Sequence, residues 1–166
     1  MSDPSLRAEV ALPPALLREL GRRLRRAALR LGLTPREVAG IAVTIVDDPA
    51  IARLNHRHMG KRGPTDVLSF PTGERDVWGE DGPPVALGDV VLSWPAVERQ
   101  ARRPGPAGLL DEATVLVVHG LCHLLGHDHA ARGEGRAMHR DELRGLAAAR
   151  VADIPRPYGL RPAGRR

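Results

Sequence analysis

The stretch His119-Gly-Leu-Cys-His123-Leu-Leu-Gly126-His127-Asp128-His129 gathers four of the seven histidines of this 166-residue chain. His119 and His123 are four residues apart, so a helix puts them one turn apart on one face, within reach of a single ion. Gly126 can take up a positive φ and turn the chain back, which lets His129 return to the same point. Three imidazoles around an open fourth position suit a catalytic zinc site rather than a closed structural one. Burying three such rings together with no metal would be costly, which weighs against plain core histidines. Hydrogen-bond acceptors are expected behind the rings, to fix which nitrogen of each faces the ion.

The spacing H-x-x-x-H-x-x-G-x-x-H is also the ligand frame of one class of zinc proteases. Those enzymes carry Glu where this chain has Gly120, as the general base beside the metal. Glycine can neither take nor give a proton, so peptide hydrolysis by that route is disfavoured while the ligand frame stays intact. Cys122 lies off the shared face of the two helical histidines and is expected to pack in the core. His127 and Asp128 flank the last ligand. Asp128 reads as a turn residue or as a partner standing behind a ligand ring.

These side chains need a scaffold. Residues 109–125 are apolar on all sides, which predicts a buried central helix, with Asp111 and Glu112 near its start and Gly126 as its stop. Ile41-Ala-Val-Thr-Ile-Val46 is β-branched and predicts a strand. Asp48 is expected to cap a following helix that runs to about residue 58, with Pro49 in its first turn. Further strands are expected over residues 65–70 and 89–93, and further helices over 15–31, 95–102 and 135–151. Residues 72–86 read as a loop that is acidic from Glu74 to Asp81. Short strands mixed with helices predict an α/β (α+β) fold: one compact domain over residues 1–155, with a short mixed sheet packed around the central helix. The first few residues and the Arg/Pro/Gly-rich tail 156–166 are expected to be loosely held.

Composition narrows the classes. One cysteine excludes an internal disulfide and any Cys-rich zinc site. No apolar run near the length of a membrane span and no export signal stand out, so a cytoplasmic protein with no membrane partner is expected. The formal charge is +5, and Lys61 is the sole lysine among 25 basic residues. Genome composition alone accounts for such an arginine excess. An anionic partner accounts for it equally, since the guanidinium is the better bidentate donor. The helix at 15–31 carries Arg18, Arg22, Arg23, Arg25, Arg26 and Arg30 against Glu19, which keeps an RNA-facing role open.

At the histidine stretch the sequence resembles the YbeY family of metal-dependent endoribonucleases, also called rRNA maturation factors. The family signature looks like H-G-x-L-H-L-x-G-Y-D-H, and this chain reads HGLCHLLGHDH, with Cys122 for Leu and His127 for Tyr. Pro64-Thr-Asp-Val-Leu-Ser-Phe-Pro71 is similar to the family's PTDVLSFP run, and Leu87-Gly-Asp-Val90 to its LGDI strand. Leu54-Asn55 also fits, and the blocks fall in the family's order from about Ile41 to Leu143. The resemblance implies one zinc ion (Zn2+) per chain on His119, His123 and His129. It also implies cleavage of single-stranded RNA, in processing the 3′ end of 16S rRNA and in ribosome quality control. Ribosomal RNA and the ribosome or small-subunit assembly proteins would be its partners. Many members carry an Arg four residues past the Asn; Met59 stands there in this chain.

A phosphodiester reaction needs phosphate held beside the metal. Arg57, Lys61 and Arg62, just before the strand at residue 65, are the candidates for that grip. Ser69 is a further candidate contact. Three readings compete with the nuclease: a zinc peptidase lacking the usual Glu, a non-enzymatic zinc-containing ribosome-assembly factor, and a basic RNA-binding module without metal. The last leaves the three histidines unexplained. With so few aromatics, RNA would be held mainly through phosphates, with strong salt dependence.

Overall fold

The computed structural model describes residues 3–128, 134–152 and 154. The chain runs β1 (Ser5–Ala8), α1 (Pro14–Arg30), α2 (Pro35–Ala39), β2 (Ile41–Val46), α3 (Asp48–Met59), β3 (Val67–Pro71), β4 (Gly88–Ser93), α4 (Trp94–Gln100), α5 (Gly105–Leu124) and α6 (Glu134–Ala148). The four strands form one sheet in the order β1-β2-β4-β3. β1, β2 and β4 are parallel, and β3 runs antiparallel to β4 at the edge. The mixed α/β architecture expected from the sequence is therefore present. The tail 156–166 lies outside the described residues.

The alternation of β2 and β4 sorts the core. Ile41, Val43 and Ile45 with Val90 and Leu92 face the main core, where Leu20 and Leu24 of α1 and Leu116, Val117 and Leu121 of α5 meet them. On the other face Val91, Leu68 and Val46 pack with Ile51 of α3, supported by Leu54 and Phe70. α6 packs on α1 and α5, joining Leu146 and Ala149 to Ala27, Val115 and Val118. The sheet thus separates α5 on one face from α3 on the other. By length and apolarity α5 matches a membrane span, contrary to expectation, but 72% of that stretch is buried inside the fold. Its apolar character serves the core.

Four further expectations need correction. The N-terminal residues are not all loose: β1 adds to the sheet edge, with Leu6 opposite Val43. Ser-Leu-Arg-Ala carries no strand pattern of its own and takes its conformation from β2. Asp47, not Asp48, caps α3 by accepting the Ala50 N–H at 2.9 Å. Asp48 instead accepts from Arg99 and from Ser93 Oγ, both at 2.7 Å, and the Arg99 guanidinium holds its carboxyl below the usual range. α5 begins at Gly105, so Asp111 sits beyond its first turn, where its carboxylate pairs with Arg23 at 2.6 Å and with Arg103. The arginine face of α1 is also better balanced than its sequence suggests, since Arg23 pairs with Asp111 and Arg25 with Asp3.

The acidic loop at residues 72–86 is pinned to α2. Thr34 and Glu37 form a reciprocal capping box, and Glu37 Oε1 also accepts from Arg75 Nε at 2.6 Å and from the Asp76 N–H at 3.1 Å. Burial alone would push the Glu37 carboxyl up. Arg75 and the Thr34 and Asp76 N–H groups outweigh it, and the net direction is down from 4.5. A carboxyl lowered on folding stabilises the fold above its unfolded value, and that stabilisation fades as pH falls through the folded one. Glu37→Gln is expected to cost about 1–3 kcal/mol near neutral pH, because it leaves buried donors poorly matched. In urea unfolding measured across pH, the gap to wild type should narrow below 4.5.

Candidate metal centre

Every residue of α5 from Asp111 to Cys122 is buried, so a histidine there must satisfy its ring within the fold. His119 does so through α6. Its Nδ1 lies 2.6 Å from Glu142 Oε1, with both side chains almost wholly buried. A neutral imidazole that donates Nδ1–H to a carboxylate presents a lone pair at Nε2. That Nε2 is 3.1 Å from Nε2 of His123, one turn on, and the rings meet edge to face at 85°. Two imidazole ligands of a tetrahedral zinc, each at about 2.0–2.1 Å, are separated by roughly 3.3 Å. The residues present therefore fit the ion: two converging nitrogens, one of them oriented by a buried carboxylate.

The helix then stops abruptly. Gly126 takes φ 94°, its N–H donates to the His123 carbonyl at 3.0 Å, and the His127 N–H donates to the Cys122 carbonyl at 3.1 Å. These are the paired bonds of a Schellman motif, which requires the left-handed glycine and turns the chain sharply back. Beyond it, His127 Nε2 lies 2.8 Å from Asp141 Oδ2, and the Asp128 N–H donates to Glu134 Oε2 at 3.2 Å. His129 lies outside the described residues, which contain no group of three or more metal-ligating side chains.

The remaining candidates are placed as follows. Ser69 on β3 donates its hydroxyl to the Gly120 carbonyl at 3.1 Å, so it sits against the ligand helix between the two histidines. Arg57 is exposed at the end of α3, and Lys61 and Arg62 are exposed in the loop after it. His58 of the same turn packs against Phe70, with ring centroids 5.0 Å apart. Met59 is 46% exposed. Cys122 is buried, and burial first, then the negative Glu142 and Asp141, push its thiol well up. This matches the packing role expected of it.

Gly120 has a structural reason. A Cβ there would lie 2.7 Å from Val90 Cγ1 and 3.1 Å from Ser69 Oγ. The protease glutamate is absent at this position, and even a Cβ there would force Val90 to shift between α5 and the sheet. Glu142 and Asp141 were not singled out from the sequence. The usable signal was in α6, where Met138, Glu142, Gly145 and Leu146 form the buried set. A carboxylate inside an apolar stripe needs a partner.

Fold and site together define a class: a mixed α/β protein whose buried core helix presents a carboxylate-backed histidine pair suited to a metal. The sequence comparisons are more specific. The endoribonuclease YbeY family matches residues 14–149, and the chain belongs to it. An endoribonuclease YbeY of Alkalilimnicola ehrlichii is 46% identical over 122 residues, covering 74% of this chain and 70% of that one. Another from Cutibacterium acnes is 45% identical over 109 residues, covering 62% and 68%. The solution structure of TM1509 from Thermotoga maritima covers 88% of both chains with a TM-score of 0.53 at 23% identity, a likeness of fold.

The packing at Gly120 can be checked directly. Gly120→Ala gains about 1 kcal/mol of helix propensity but forces a methyl into the stiff Val90 side chain, which costs about 1–3 kcal/mol. A net loss of stability is expected in chemical denaturation. Adding Val90→Ala should make Gly120→Ala neutral or stabilising, a non-additivity that locates the clash.

Proposed function

We propose that this protein is a zinc-dependent endoribonuclease that cleaves single-stranded RNA, with His119, His123 and His129 as its metal ligands. The observation that carries the reading is the convergence of the His119 and His123 Nε2 atoms at 3.1 Å, with Glu142 behind His119. Membership of the endoribonuclease YbeY family supports RNA as the substrate. The family resemblance extends this to ribosomal RNA, to 3′-end maturation of 16S rRNA and ribosome quality control, and to work in the cytoplasm.

A zinc ion, when bound, supplies Lewis acidity toward a phosphoryl oxygen and acidifies a water. The chain's own groups do the rest. Glu142 holds the Nδ1 proton of His119 and keeps that ring from rotating. Gly120 brings α5 against β4, and Ser69 ties β3 to the same turn, so the histidine pair rests on a stiff sheet edge. No side chain at position 120 can act as a base, which separates this chemistry from that of the zinc peptidases. Arg57, Lys61 and Arg62, exposed at the end of α3 and in the loop after it, would grip phosphates of the RNA.

A second reading, a zinc-containing assembly factor without nuclease activity, draws on Met59 standing where many family members have Arg. One experiment separates the two. Purified wild type is expected to contain zinc and to cut a single-stranded ribosomal RNA fragment, and a chelator should abolish cutting. His123→Ala should lose both metal and cleavage, and undiminished values would overturn the assignment. Zinc retained without cleavage would favour the assembly factor, and digestion of casein would favour the peptidase. RNA affinity should fall steeply between 50 and 200 mM salt, by about tenfold or more if several phosphates are gripped.

A further inference from the structure

Four arginines stand on one ridge of α1. Arg18, Arg22, Arg26 and Arg30 recur every four residues, so they lie a turn apart, in steps of about 6 Å that span about 18 Å. The opposite face carries Leu20, Leu24, Ala27 and Ala28, each wholly buried. Arg18 and Arg30 are exposed, and among the described residues neither meets a carboxylate. Arg22 and Arg26, with 59% and 38% of their side chains exposed, share a single acid, Glu19, at 2.7 and 3.9 Å. Like charges one turn apart weaken a helix, and a merely solvated face relieves this by interspersing acids. The other two arginines of α1 follow that rule, Arg23 with Asp111 and Arg25 with Asp3, and both lie outside the ridge.

We infer that this ridge is an RNA-binding surface outside the metal centre, which holds a single strand by its phosphates and reads no bases. The inference rests on RNA being the substrate, as proposed above. A row of guanidiniums with one acid among them is complementary to a polyphosphate, and each can take a phosphate through two N–H bonds. A lipid surface is the poorer fit, because a helix that lies on a bilayer inserts apolar side chains. The exposed large hydrophobic residues are Met59, Val77, Trp78, Leu143 and Ile154 among the described residues, and none is on α1. The buried face of α1 is the one turned toward the ligand helix, where Ala27 packs with Val115 and Val118. The ridge is turned away from it, so it supplies affinity and not chemistry. Such contacts are equally strong in the ground and transition states, so they lower KM and leave kcat alone.

The test is the salt dependence of RNA binding by the full chain. Anisotropy of a fluorescein-labelled single-stranded RNA, long enough to span the ridge, is followed across salt concentrations with a chelator present to keep the strand intact. Wild type is compared with Arg18→Gln/Arg30→Gln, with all four ridge arginines changed to Gln, and with Arg7→Gln/Arg53→Gln, which removes two exposed charges from β1 and α3. Each lost phosphate contact should lower the slope of log affinity against log salt by about 0.7 and weaken binding about fivefold at 0.1 M salt. The ridge variants should show these losses in step with the arginines removed, and the Arg7/Arg53 pair should stay near wild type. In the zinc-loaded chain the ridge variants should raise KM for the same RNA with kcat and zinc content unchanged, a split that damage to the metal centre would not give. Ridge variants that match wild type in slope and affinity would overturn the inference, as would an equal loss in the Arg7/Arg53 pair. Loss of binding to phosphatidylglycerol vesicles with RNA affinity intact would also overturn it, in favour of a membrane surface. A wild type that binds RNA but neither holds zinc nor cuts would overturn the nuclease reading, and the slopes would still decide the role of the ridge.

Discussion

The hydrogen bond between His119 and Glu142 is the contact on which the rest of the site depends. An imidazole cannot be placed in the middle of an apolar helix without a partner, and a carboxylate cannot be buried in the stripe of a packing helix without one either. Each answers the other's need at 2.6 Å. The bond therefore couples the docking of α6 to the state of the ligand helix. Were α6 displaced, both groups would be left uncompensated in the interior, a penalty far larger than the bond's own net contribution. Docking of α6 and the orientation of His119 are therefore coupled in this fold.

The glycine between the histidines is the second constraint. Its missing side chain lets α5 lie close on β4, and that closeness lets the Ser69 hydroxyl reach a helix carbonyl. Residue 120 is thus occupied by backbone packing at the place where a related ligand frame puts a base. The sheet enforces another separation. α5 and α3 cover opposite faces, so the helix that carries Arg57 and the helix that carries the histidines pack on different sides of the sheet.

Legibility followed from how local each signal is. β2 was readable to its ends because six consecutive residues carry a β-branched pattern, and the α5 ligand spacing was readable because one helix turn fixes it. Gly126 announced the turn for the same reason. β1 was not readable, since its strand character is borrowed from β2. The partner of His119 was expected in kind but not located, because Glu142 is 23 residues away and meets it only when two helices pack. The acid of the 72–86 loop was visible, whereas its attachment to the α2 capping box depends on a contact spanning 38 residues. Local pattern reveals ligands, and only tertiary packing reveals what orients them.

The lone thiol of the chain gives the site an unintended gauge. Cys122 lies between the two regions that α6 holds, one residue before His123, with a raised titration point and no surface exposure. A sulfur in that state is a poor nucleophile until the fold around it opens. Its labelling by a soluble thiol reagent therefore reports the open population of the fold around His123. Oxidants and alkylators will modify this thiol in proportion to how often the fold opens around it, not to how often they collide with its surface.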